Sequence, residues 1–165
     1  MLGRETNSAE LQHIFRPFFI NLLEIFVIKL QLPNSYDDWT DEEKERLRCY
    51  RIDIGDTMVY MISIIGDIML EFIIKKLINI IETNENNWYI MESLIYMLQS
   101  IVSELNESYN PEMTNLNDAY LVTFVNLLPK INYSNKHILS TTLLAVGKFL
   151  YIFKQSIVVD VYIWN

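Results

Sequence analysis

Thr40–Thr83, TDEEKERLRCYRIDIGDTMVYMISIIGDIMLEFIIKKLINIIET, is the stretch whose reading decides the fold. Thr40 followed three residues later by Glu43 is a capping box, in which the hydroxyl takes a free backbone N–H and the carboxylate reaches back to the cap. A helix is predicted from Asp41, and its acidic first turn, Asp41, Glu42 and Glu43, suits the positive end of the helix dipole. From Ile52 onward the apolar residues face most directions: Ile54, Met58, Val59, Met61, Ile62, Ile64 and Ile65. That density predicts a helix covered on several sides. Gly66-Asp67 interrupts it, and the return segment carries Ile68, Met69, Phe72, Ile73, Leu77, Ile80 and Ile81 on one broad face. Glu71, Lys75, Lys76 and Asn79 fall elsewhere, so the stretch reads as an antiparallel helical hairpin that needs neighbours.

Working outward, residues 8–16 form a helical lead-in, and Arg16-Pro17 opens or kinks the helix that follows, because proline is tolerated in a first turn and disruptive later. Phe18–Leu32 has Asn21, Glu24 and Gln31 as a polar stripe and ends at Pro33-Asn34-Ser35. On the other side, Thr83–Asn87 is a polar break before a helix from Trp88 to Leu105. Its apolar set, Ile90, Met91, Leu94, Ile95, Met97, Leu98, Ile101, Val102 and Leu105, follows the i, i+3, i+4, i+7 template. Glu92, Gln99, Ser103 and Glu104 take the other side. Asn110-Pro111 opens a further helix that Pro129 breaks, and Ser134-Asn135 opens the last. The expected helices are near 8–31, 41–65, 68–83, 88–105, 111–128 and 135–153. Residues 8–155 form one segment, and 156–165, rich in β-branched and aromatic residues, form an atypical tail.

Helices starting at Asp41, Trp88 and Asn135 recur at a spacing of about 47 residues, within the range of HEAT and armadillo hairpins. The fold class expected is therefore all-α, a solenoid of antiparallel helical hairpins with about three repeats. The alternative is an irregular helical bundle. At 165 residues such a chain buries roughly 70% of its unfolded surface. Its 51% apolar composition and mean hydropathy of +0.14 are high for a surface that faces only water. The first and last helices are oily, so apolar end faces and self-association are expected. Two oily stretches, Phe18–Leu32 and Met58–Ile81, are each interrupted by charge and fall short of a membrane span. The opening LGRETNSAE has no apolar signal core.

A net charge of −8 and a pI near 4.7 oppose nucleic-acid binding and suit a basic protein partner. Catalysis finds little support. His13 and His137 lie outside any metal-ligand spacing, the four glycines are isolated, and the single Cys49 reads as a packing thiol. No cofactor is expected. Arg51, Asp53 and Asp56 are candidate ion-pair residues between repeats, with a ligand contact as the alternative reading. Glu71, Lys75, Lys76 and Glu82 lie on the return helix, which lines the concave face in stacked hairpins, and are candidate partner contacts.

Several segments together resemble the importin-thirteen branch of the importin-β (karyopherin) superfamily: RPFFINLLEIFVIKLQLP, WTDEEKERLRCYRIDIGDTMVY, NNWYIMESLIYMLQSIVSEL, LLPKI and HILSTTLLAVGKF. The most specific part is Trp39 with Tyr50, Arg51, Asp53, Ile54, Asp56 and Thr57. Trp88, Glu92, Leu94, Tyr96 and Gln99-Ser100-Ile101 resemble the next repeat. The likeness runs from about Glu10 to Phe153, and a transportin-three-like receptor, whose repeats have similar patterning, is the close runner-up. It implies HEAT repeats from the middle of a longer, non-enzymatic receptor that binds protein cargo and shuttles between nucleus and cytoplasm. Ran-GTP and nucleoporins would be engaged through the full-length receptor. Two departures stand out: the amino-terminal repeats that form the principal Ran site in that superfamily have no counterpart here, and SIVVDVYIWN is unlike the family. A fragmentary or truncated product is the corresponding expectation, and a HEAT scaffold with no transport role is the rival.

Overall fold

Six helical segments account for the architecture of the computed structural model, which describes residues 2–83, 87–107, 119–120 and 122–163. They are α1 (Leu2–Lys29), α2 (Asp41–Ile65), α3 (Asp67–Glu82), α4 (Trp88–Glu107), α5 (residues 119–127, with 121 outside the description) and α6 (Lys136–Ile163). Among the described residues there is no strand. The chain is an all-α helical-repeat structure.

The capping box forms as its residues dictate. Thr40 Oγ1 accepts from the Glu43 N–H at 3.3 Å, and the Thr40 N–H donates to Glu43 Oε2 at 2.8 Å. Gly66 then ends α2 by donating to the Ile62 carbonyl and leads directly into α3. Its φ of 42° and ψ of −115° are open to glycine and strained for any residue with a Cβ. Pro129 sits in a short 3-10 turn, Leu128–Lys130, that closes α5. Asn135 caps α6, its Oδ1 accepting from the His137 N–H at 2.8 Å.

α4 is the centre of the packing. It meets α1, α2, α3 and α6, the last most extensively. Met91, Leu94, Ile95, Met97, Leu98, Ile101 and Val102 are all buried on it. Each such side chain contributes about 1.5–3 kcal/mol of apolar transfer, so α4 holds the other helices in place. Gly55 lets α2 approach closely, because a Cβ there would lie 3.2 Å from Ser100 Oγ.

Four expectations need correction. Pro17 lies inside α1, which is helical from Leu2. The proline removes one backbone hydrogen bond but does not end the helix, and Leu23, Phe26, Val27 and Leu30 anchor the turns that follow. α2 is buried on one face only, with Ile54, Met58, Met61, Ile62 and Ile65 inside and Ile52, Tyr60 and Ile64 exposed. The tail 156–165 is helical as far as Ile163. No proline interrupts α6, and adding residues to an existing helix is far cheaper than starting one, which outweighs the weaker propensity of valine, isoleucine and tyrosine. Cys49 is exposed, with Sγ 3.6 Å from Glu45 Oε1, and is not a packing thiol. The helix start expected at Pro111 lies outside the described residues.

Candidate interaction surface

Arg51 points from α2 into the core and meets Glu92 of α4. Its Nη2 donates to both carboxylate oxygens, at 2.8 and 2.9 Å. The side chains are 8% and 1% exposed, so the pair is desolvated. Thr141 of α6 donates to Glu92 Oε1 at 2.7 Å, and the Arg51 guanidinium lies 3.9 Å from the Tyr96 ring centroid. Three helices from successive parts of the chain thus converge on one carboxylate. Arg51 Nε is buried without an acceptor, so the aromatic face is its remaining compensation. Burial pushes the Tyr96 phenol up, and the nearby Arg51 charge partly offsets it.

Arg51 therefore pairs between α2 and α4, and Asp53 and Asp56 are not brought to it. Both aspartates are exposed on the opposite side of α2. Neither has an ion pair among the described residues, and the Asp53 carbonyl accepts from Thr57 Oγ1 at 2.9 Å. Glu92, expected on a polar face, is the residue that sequence reasoning missed. Its signal was a lone acid between Met91 and Leu94 in an otherwise apolar run.

The charges of α3 form a ladder with α1. Lys75 Nζ lies 2.6 Å from Glu71 Oε1, and Arg16 reaches Glu71 Oε2 at 3.7 Å. Lys76 pairs with Glu24 at 2.9 Å. The hydrogen bond from Lys75 holds the Glu71 carboxyl below the usual carboxylate range. Glu82 is exposed and has no ion pair among the described residues. Lys75 is 72% exposed, and surface pairs of this kind are worth at most about 1 kcal/mol. Such a ladder can exchange its internal partners for those of a docked protein at little cost.

A second junction ties the α1–α2 turn to the start of α6. Asp37 Oδ1 lies 2.8 Å from Lys136 Nζ and 3.2 Å from His137 Nε2. The hydrogen bond from Lys136, with the charges of Lys136 and His137, holds the Asp37 carboxyl low. His137 lies edge-on to Tyr36, with centroids 5.4 Å apart, and stacks on Trp88 at 5.7 Å. It is a half-buried residue in the first turn of α6. His13 lies where side chains are not described. Among the described residues no group of three or more His, Cys, Asp or Glu is disposed to hold a metal ion, and no helix is long and apolar enough to cross a membrane.

The stretch containing the Asp37 junction, the capping box and Arg51 is also what a family model picks out. Residues 32–67 match the Importin 13 repeat. Importin-13 of Bos taurus, of Homo sapiens and of Mus musculus are each 29% identical to this chain over 144 residues, covering 85% of it. The chain is importin-13-like. It spans 14% of the length of those relatives. Leu32 to Asp67 covers the α1–α2 turn and the whole of α2.

Proposed function

We propose that this chain serves as a segment of a nuclear transport receptor, a binding module and not an enzyme, which holds protein cargo on the polar surface of its helical repeats. The observation that carries this reading is the likeness to Importin-13 over 144 residues in a chain that folds as helical repeats. A net charge of −8 favours cargo with a basic surface and speeds its encounter. Glu71, Lys75, Lys76 and Glu82 supply contacts through the exchangeable ladder on α3, and Asp53 and Asp56 offer free carboxylates on α2. Arg51 with Glu92 and Thr141 keeps neighbouring hairpins in register. Ran-GTP and nucleoporins act through the full-length receptor, which shuttles between nucleus and cytoplasm. No cofactor, nucleic acid or membrane insertion enters the cycle.

The test is nucleotide-dependent capture. The longest protein encoded with these residues is immobilised and offered nuclear extract with Ran loaded with a non-hydrolysable GTP analogue or with GDP. Proteins whose retention changes with the nucleotide are the expected result. Retention indifferent to the nucleotide would replace the transport reading with that of a HEAT scaffold.

A further inference from the structure

Two long helices of this molecule are apolar on both sides. The inner side of α1 buries Leu23, Phe26, Val27 and Leu30, and the inner side of α6 buries Ile138, Ala145 and Phe149. On the outer side of α1, Ile14, Phe18 and Ile25 stand at intervals of four and then seven residues, and Leu139, Leu143 and Leu150 of α6 repeat the same intervals. On a helix such spacing makes a single stripe. All six side chains are between 43% and 63% exposed. A helix that is apolar all round is normally covered all round, so each stripe is a face for a further helix.

Gly147 gives the α6 stripe a shape. It is exposed and stands among Leu143, Leu144 and Leu150. Glycine in a helix interior is less favourable than alanine. A Cβ at this position would meet nothing within 4 Å among the described residues, so the fold of the single molecule does not call for a glycine. The missing side chain leaves a gap in a leucine ridge, and helices pack by setting the ridge of one into the gaps of the other. Phe18 on the α1 stripe is a large side chain free to enter such a gap. Charge does not oppose the contact. Glu24 beside the α1 stripe pairs with Lys76 at 2.9 Å, and the Lys148 amine beside Gly147 donates to the Gln99 carbonyl at 3.1 Å.

We propose that a second copy of this chain lays its α1 stripe on the α6 stripe, with Phe18 over Gly147. One molecule carries both the ridge and the gap, so a second copy uses both, whereas a foreign partner fitted to one leaves the other in water. Because the two faces are unlike, the contact is heterologous and copies add head to tail. It uses none of the charged groups proposed for cargo.

Sedimentation velocity on the full chain is the test, with circular dichroism confirming that each variant folds. The wild type should form a series of oligomers that lengthens with concentration. Phe18→Glu and Leu143→Glu each destroy one of the two faces, and each alone should be monomeric. Their equimolar mixture should give a one-to-one dimer and nothing larger, since each supplies the face that the other lacks. Gly147→Leu adds apolar surface yet fills the gap, and should weaken association by about tenfold. Non-specific adhesion of oily surfaces would do the reverse. The proposal is overturned if the wild type stays monomeric, which would assign the faces to a different protein, or if either single variant still dimerises, which would mean a symmetric contact. It is equally overturned if the mixture does not pair, or if Gly147→Leu associates as well as the wild type.

Discussion

Removing Arg51 should be among the most damaging single changes in this chain. Arg51→Met keeps much of the aliphatic volume but leaves Glu92, whose side chain is 1% exposed, with only the Thr141 hydroxyl at 2.7 Å to satisfy it. Two charge-assisted hydrogen bonds, at 2.8 and 2.9 Å, disappear. Removing one partner of a buried pair costs about 3–5 kcal/mol, mainly the penalty of an uncompensated charge. For a domain of this size that is a fall of roughly 6–20 °C in midpoint temperature, at about 2–4 °C per kcal/mol. Glu92→Leu alone strands the guanidinium and should cost a similar amount. The double variant Arg51→Met/Glu92→Leu removes both charges, and replacing a buried pair by apolar groups is often nearly neutral, so only the unpaired Thr141 hydroxyl should count against it. Urea denaturation of wild type, both single variants and the double variant completes the cycle, with an expected coupling of about 3 kcal/mol or more. Single-variant losses below about 1 kcal/mol, or losses that simply add, would refute the inference that this pair is desolvated and mutually dependent.

Three further outcomes follow from other parts of the molecule. Thr40→Ala should lower stability by about 1 kcal/mol through loss of the helix cap, read as a shift in urea midpoint with unchanged slope; no shift would mean that the box is not formed in solution. Asp37, Glu43, Glu45 and Glu71 are all held low, by hydrogen bonds from Lys136, Thr40, Arg48 and Lys75 respectively. A depressed folded-state value stabilises the fold above the unfolded value of about 4 and loses that stabilisation as pH falls through the lower one. The midpoint temperature should therefore hold from pH 7 to about 5 and drop below about 4, with a shallower drop in Asp37→Asn; identical profiles would exclude the Asp37 junction as a contributor. Finally, Ile14, Phe18 and Ile28 on α1 and Leu143, Leu144 and Leu150 on α6 are each 59–64% exposed, and apolar faces of that kind associate. Sedimentation velocity should show concentration-dependent association that Phe18→Glu combined with Leu143→Glu abolishes, and a sharp monomer of the unmodified chain at high concentration would contradict it.

The hairpin was legible because its signals are local. A capping box, a glycine where the chain must reverse, and an apolar face at helical spacing each act within a few residues, and all three appear in the sequence at Thr40, Gly66 and Ile68–Ile81. α6 exposes the limit of local reading: its last turns have a β-like composition, yet they continue a helix already nucleated at Asn135. Side assignments failed where they depended on partners distant in sequence. Glu92 looked polar and outward on its own helix, and only the arrival of Arg51 from 41 residues before it and Thr141 from 49 residues after it makes burial affordable. Ile52 and Ile64 looked inward for the opposite reason, since density alone does not say which neighbours exist to cover a face.

The same distinction bears on how such a segment works. Apolar burial around α4 is non-directional, and many sequences of the right volume would fill that space. The Arg51–Glu92–Thr141 contact is directional: it is satisfied only when α2, α4 and α6 sit at one particular register. A buried pair adds little net stability compared with an apolar substitute, so its value in this chain lies in penalising slipped arrangements of neighbouring hairpins. In a helical-repeat receptor each repeat interface sets the curvature of the whole, and a register device at the interface would fix the shape of the surface presented to cargo. The double variant separates the two roles. If Arg51→Met/Glu92→Leu keeps its stability but broadens the NMR resonances of α4 and α6, the charges specify a geometry; if the spectra stay sharp and unshifted, apolar packing alone sets the register.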